Sequence, residues 1–297
     1  MARGFSACPG FLVVLCLVAC SAGAVEDASP DYSRTLPPGQ GKKQETGRLD
    51  SPTATDNPSA MQPGTDDGSL TIARRALQAW PAGEWTLSGA LSTRLSSRDP
   101  TANEDEEKNR LPQSGAFPIQ MEFHALPGGV RQMIYRAERE EGVWQGLRLN
   151  IPRDLVRKGI ELLDDATGKP VRDAQALFLD SVFSFEDLAL RFLSWPKQEM
   201  VDQELLKDRD CWRILSRPSE KDATPYARVE SWIDQEYHVL LRAIAYDRED
   251  RVVKEFNVRS FQQMEETWML RTLEVSAPLM GARSRLEILD GRKHTAR

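Results

Sequence analysis

Hydrophobic and polar residues alternate along most of the chain after Trp85. In Trp85–Leu95 the set Trp85, Leu87, Leu91 and Leu95 points one way, and Thr86, Ser88, Ser92 and Arg94 point the other. A period of two is that of a half-buried strand. The next strand is more regular: Phe117, Ile119, Met121 and Phe123 alternate with Gln120, Glu122 and His124. Leu126-Pro-Gly-Gly129 reads as a turn. A third strand returns over Val130–Ala137, and Leu147, Leu149 and Ile151 mark a fourth. Such alternation predicts an antiparallel sheet with one apolar and one polar face. Ile160–Leu163 and Ala176–Leu179 read as short strands flanking a turn at Gly168-Lys-Pro170.

The period changes twice. Leu70–Trp80 reads as a short helix ended by Pro81. From Ser184 to Trp195 the apolar residues Phe185, Leu188, Ala189, Phe192 and Leu193 fall at helical spacing, which predicts one broad apolar stripe. Ser184 is a candidate N-cap, with Glu186 and Asp187 in the first turn, where acids complement the helix dipole. The stripe fits a helix packed on the sheet as core, and equally a lid over a cavity. Beyond a polar segment come Cys211–Ser216, Tyr226–Asp234, Val239–Asp247, Arg251–Phe261, Thr267–Val275 and Arg285–Asp290, with a hairpin turn at Asp247–Asp250. The expected fold is mainly β (α+β): an incomplete antiparallel β-barrel of about ten or eleven strands, wrapped over one or more amphipathic helices. Closure or near-closure is how such a sheet hides its apolar face and limits its edges.

The N-terminus follows other rules. Arg3 precedes the apolar run Phe11–Ala19, which is too short to span a bilayer, so residues 1–24 read as an export signal. Two processing readings stand open. Ala22-Gly23-Ala24 offers small residues for ordinary cleavage before Val25, whereas Leu17-Val-Ala-Cys20 resembles a lipobox, in which Cys20 would be lipidated and the protein tethered to a membrane. Residues 25–69 hold many Pro and Gly and a single aromatic, Tyr32. Such a segment buries too little apolar surface to offset its ordering entropy and reads as a disordered linker. Residues 70–297 are left as one domain.

Composition narrows the chemistry. The 297 residues carry a formal charge of −6, with 28% charged and 40% hydrophobic residues. The first 69 residues hold eight acidic and five basic side chains, the remainder 37 and 34. Both signs are interspersed, so no basic nucleic-acid footprint is expected. Cys8, Cys16 and Cys20 lie in the signal region and leave Cys211 alone in the domain, so no intrachain disulfide is expected there. Cys211 reads as a small buried strand residue rather than a nucleophile. The three histidines, His124, His238 and His294, sit in no catalytic motif. A phosphate loop, metal-ligand spacing and a nucleophile elbow are all missing from the sequence. The reading is of a non-enzyme without cofactor or metal.

Several motifs in the second half carry a resemblance. Asp180-Ser-Val-Phe-Ser-Phe-Glu-Asp-Leu188, Asp210-Cys-Trp-Arg-Ile-Leu215, Val229-Glu-Ser-Trp-Ile-Asp234, Tyr246-Asp247, Lys254-Glu-Phe256 and Trp268 follow one another in order. The series resembles bacterial outer-membrane lipoprotein-sorting proteins of the LolA/LolB-like superfamily, well over 175–290 and by strand pattern alone over 70–150. The 96–114 loop looks like an insertion, and no functional residue of the family can be carried over. The resemblance implies an incomplete barrel enclosing an apolar cavity for acyl chains, and work in the periplasm or cell envelope. The expected ligands are lipids or lipoprotein acyl chains, with a membrane-protein donor or acceptor as partner. Alternation nominates Trp85, Leu87, Leu91, Phe117, Ile119, Met121 and Phe123 as cavity-facing, with Phe185, Leu188 and Phe192 as lid. The alternative is an envelope sensor or adaptor of the same fold that binds a partner protein.

Overall fold

The alternating segments hydrogen-bond into one antiparallel sheet of twelve strands. The computed structural model describes residues 66–79, 81, 83–96, 114–155 and 157–294. The expected signal peptide, Cys20, the linker up to residue 65 and most of the 96–114 loop lie outside the described residues. Helix α1 (Asp66–Gln78) is followed by β1 (Glu84–Leu95), β2 (Gly115–Leu126), β3 (Val130–Glu140), β4 (Val143–Ile151) and β5 (Glu161–Asp164). After a crossing segment that contains the one-turn helix α2 (Phe185–Leu188) come β6 (Lys197–Leu206), β7 (Arg209–Arg217), β8 (Arg228–Asp234), β9 (Leu240–Tyr246), β10 (Val252–Met264), β11 (Thr267–Ala277) and β12 (Ala282–His294). The strand order is β5-β4-β3-β2-β1-β12-β11-β10-β9-β8-β7-β6. The sheet is not closed: β5 and β6 are its two edges.

The two halves join where β1 pairs with β12, the first strand with the last. Leu91 lies opposite Phe117 on one side and Leu286 on the other. A bulge interrupts this pairing between Ser88 and Gly89. Gly89 is required there, since a Cβ would sit 2.2 Å from the Glu287 carbonyl oxygen. The apolar face of the sheet, together with α1 and the crossing segment, forms a single hydrophobic cluster that runs from Ile72 to Ile288. On the opposite face, arginines pair with carboxylates across the strands. Examples are Arg213 with Glu230, Arg242 with Glu255, and Arg259, Arg283 and Arg285 around Glu274. Opposite charges facing each other across strands support the register.

Four local expectations are corrected. The polar segment after Pro196 is a full strand, β6, so the sheet has twelve strands rather than ten or eleven. Its alternation is masked because it is an edge strand with a register shift between Met200 and Asp202. The helix expected over Ser184–Trp195 lasts one turn. The chain turns through a left-handed conformation at Leu190 (φ 45°) and continues as a 3-10 turn over Arg191–Ser194. Helical spacing misleads here because the segment is surrounded by core: Val182, Phe183, Phe185, Leu188, Phe192, Leu193 and Trp195 are all buried. The strand expected at Ala176–Leu179 reduces to one bridge, Leu177 with Ser184, and a tight turn in which Leu179 and Asp180 have positive φ. The first helix, expected from Leu70, begins at Asp66.

Candidate functional site

Seven of the ten nominated residues come from β1 and β2. Trp85, Leu87, Leu91, Ile119 and Met121 are buried on the inner face, and Phe117 and Phe123 pack against them, partly buried. The nominated lid residues Phe185, Leu188 and Phe192 are buried in the same cluster from the crossing segment. All ten thus belong to, or pack against, one hydrophobic cluster. Their space is filled by neighbours: Phe192 packs on Phe256 of β10 with ring centres 5.8 Å apart, and Phe185 meets Phe178 edge-on at 6.1 Å.

A polar cluster holds the crossing segment to the sheet. Ser184 and Asp187 form a capping box: the Ser184 hydroxyl accepts from the Asp187 N–H at 3.2 Å, and the Asp187 carboxylate accepts from the Ser184 N–H at 2.8 Å. The Asp187 carboxylate also accepts from the Tyr226 hydroxyl at 2.7 Å and pairs with Lys254 Nζ from β10. Both charges are sealed from solvent, with 0% of the Asp187 side chain and 4% of the Lys254 side chain exposed. Burial, and then the Asp187 carboxylate, hold the Tyr226 phenol well above its usual pKa, so it remains a donor. The sequence pattern places Glu186 and Asp187 in a helix first turn, which by itself gives no hint of this cluster. A signal was present: Lys254 shares strand parity with Phe256, which places a lysine on the apolar face.

Beside this cluster lies a cleft of about 720 Å³. One wall is Ile160–Leu163 at the β5 edge, another is Pro170–Gln175 with Gly168, and the rest comes from Arg191 and from Lys221 and Ala223 between β7 and β8. Ile160, Leu162 and Val171 also pack against the main core, so the apolar wall of the cleft is the rim of that core. None of the ten nominated residues lines it. Gln175 donates to the Glu186 carboxylate, which lies almost wholly buried behind the wall. Burial pushes that carboxyl above its ordinary pKa, with Asp187 adding to the rise.

Cys211 is buried on the outer face with Trp232 and Leu241. Burial raises its thiol to about 11, which leaves the thiol form at neutral pH and fits the inert reading. His124 is half-buried and meets Glu122 at 3.2 Å.

Solved structures share this arrangement. A putative outer membrane lipoprotein-sorting protein domain from Vibrio parahaemolyticus superposes with a TM-score of 0.60 at 16% identity, covering 78% of this chain and 95% of its own. A DUF1329 family protein from Desulfovibrio piger gives 0.59 at 16% identity over 77% and 92%. A LolA superfamily protein from Nitrosomonas europaea gives 0.51 at 16% identity over 77% and 94%. The fold is LolA-like. A family model described only as that of an uncharacterized protein matches residues 165–295. No curated protein matches the chain. The LolA-like fold expected from the ordered motifs is thereby found.

Proposed function

We propose that this protein is a non-catalytic binder or carrier of acyl chains, of lipids or of lipoproteins, in the periplasm or cell envelope. The observation that carries this reading is the unclosed sheet wrapped over an apolar crossing segment, in the same fold as a lipoprotein-sorting domain. The physical need is simple. Each CH₂ kept from water contributes about 0.8 kcal/mol, so a long acyl chain crosses an aqueous compartment only inside an apolar shelter. Trp85, Leu87, Leu91, Phe117, Ile119, Met121 and Phe123 would line the shelter on the sheet side. Phe185, Leu188 and Phe192 would move with the crossing segment to admit the chain. Residues 1–24 would direct export, and the linker would tether the domain if Cys20 is lipidated. The intact mass of the mature protein from its native host separates the two processing routes, because cleavage after Ala24 removes Cys20. The test of the main reading is lipid extraction and mass spectrometry on natively purified protein: a stoichiometric acyl-bearing species is expected. Protein that never retains one refutes the reading.

A second reading is favoured by one observation. Large side chains such as Trp85, Phe183, Phe192 and Phe256 fill the interior. A filled half-barrel suits an envelope adaptor whose surface, rather than interior, binds a partner protein. Recovery of a stable membrane-protein partner by crosslinking, with no bound lipid, would select it.

A further inference from the structure

We propose that one corner of the sheet, where β1 ends and β11 turns into β12, is a docking surface for an anionic lipid bilayer. Three guanidinium groups converge there on the outer face. Arg259 of β10 and Arg283 and Arg285 of β12 lie 2.6, 3.6 and 3.3 Å from the Glu274 carboxylate. The three arginine side chains are half exposed, whereas that of Glu274 is sealed from solvent. A fourth arginine, Arg94, is the register partner of Arg283, stands exposed and forms no ion pair among the described residues. Four arginines are thus set against one sealed carboxylate.

The other described charges around the corner balance. Glu255 pairs with Arg242 at 2.7 Å and Glu287 with Arg271 at 3.9 Å. The turn between β9 and β10, which shares a small cleft with Leu279, brings Asp247, Arg248, Glu249 and Arg251, two of each sign. Asp250 in the same turn pairs with Arg228. The positive surplus of the four arginines therefore stands. The same corner leaves aliphatic side chains in water: Leu95, next to Arg94, is 48% exposed, and Leu279, in the turn Pro278–Met280, is 52% exposed. The Ser96 N–H donates to the Gly281 carbonyl at 2.7 Å and ties the two segments together. Leucines that enter the interface beside cations that meet anionic head groups are the two parts of peripheral membrane binding. Arginine suits the second part, because its fork bonds a phosphate through two N–H groups. An acidic peptide would match the arginines and leave both leucines in water. An uncharged bilayer would take the leucines and leave the arginines unmatched. The inference concerns the outer surface and stands whether or not the interior takes an acyl chain.

Leu279→Cys, labelled with an environment-sensitive dye, tests it on protein purified from its native host. Cys211 is buried and does not compete for the label. The probes are vesicles of phosphatidylcholine, with and without phosphatidylglycerol. A blue shift is expected on the anionic vesicles, and it should weaken as salt rises. Adding Arg94→Gln and Arg283→Gln leaves Arg259 and Arg285 on Glu274, and should raise the lipid concentration needed for half the shift roughly thirtyfold. The same dye at Leu205→Cys, 67% exposed on the β6 edge, should stay unshifted. An unshifted label at position 279, an equal shift at position 205, or arginine variants that bind as tightly as the parent overturns the proposal. An equal shift on uncharged vesicles marks apolar insertion alone and also overturns it. A shift that appears only once the acidic run Glu104–Glu107 is neutralised names that run, not lipid, as the counter-charge of the arginines, and overturns it as well.

Discussion

Replacing Asp187 by alanine tests how the crossing segment is held. Its carboxylate accepts from the Ser184 N–H at 2.8 Å and from the Tyr226 hydroxyl at 2.7 Å, and it pairs with Lys254 in a site where neither charge reaches solvent. Alanine leaves the Lys254 ammonium buried without its counter-charge, a loss of about 3–5 kcal/mol. The lost capping bond adds about 1 kcal/mol. A domain of this size is stable by roughly 5–15 kcal/mol, so Asp187→Ala should lower the melting temperature by roughly 10 °C or more. Lys254→Met should cost less, since the carboxylate keeps Tyr226 and Ser184. The double change Asp187→Asn with Lys254→Met removes both charges and keeps an acceptor for the cap, so it should return to within about 2 kcal/mol of the parent. Urea unfolding followed by tryptophan fluorescence measures all three. A loss below about 1 kcal/mol for Asp187→Ala, or a double variant as unstable as it, would refute the argument that burial without a partner sets the penalty.

Other expectations follow from the same geometry. Gly89→Ala pushes a methyl against the Glu287 carbonyl oxygen at 2.2 Å, where the backbone cannot yield, and should cost at least about 2 kcal/mol. Gly291→Ala meets only the side-chain ends of Leu87 and Met264 and should cost less by the same thermal melt. Phe192→Ala removes a buried ring packed on Phe256 and should cost about 3–5 kcal/mol by urea titration. Burial raises the Glu186 carboxyl, so the folded state holds its proton more tightly than the unfolded chain. Its contribution is favourable below the unfolded value of about 4.3 and declines, by at most about 1.4 kcal/mol per pH unit, as pH rises through the folded value. Glu186→Gln should therefore flatten the stability profile on that side and stabilise the protein at neutral pH. Glu274 behaves oppositely. Burial alone would raise its carboxyl, but hydrogen bonds from Arg259 and Arg285 hold it below the ordinary range. Its contribution is present above about pH 4.3 and lost as pH falls through the folded value, so Glu274→Gln should cost about 1 kcal/mol at neutral pH and little in acid.

Strand identity was legible because alternation is a local property. Phe117, Ile119, Met121 and Phe123 announce both the strand and its inner face within seven residues. The same locality misled at Phe185–Trp195: side chains buried on every side satisfy a helical stripe as easily as they satisfy an irregular chain. It failed at β6, where an edge strand buries too few residues to show a period. The sequence alone determined the alternating strands and which of their faces is apolar, because the backbone sends successive side chains to opposite sides. Only the tertiary structure decided that β1 pairs with β12, that β5 and β6 stay apart as edges, and that Asp187 meets Lys254 across 67 residues of chain. It alone gathered Arg172, Arg191 and Lys221 around one cleft. Charges and orphan edges find their partners through the path of the whole chain, and no local period encodes that path.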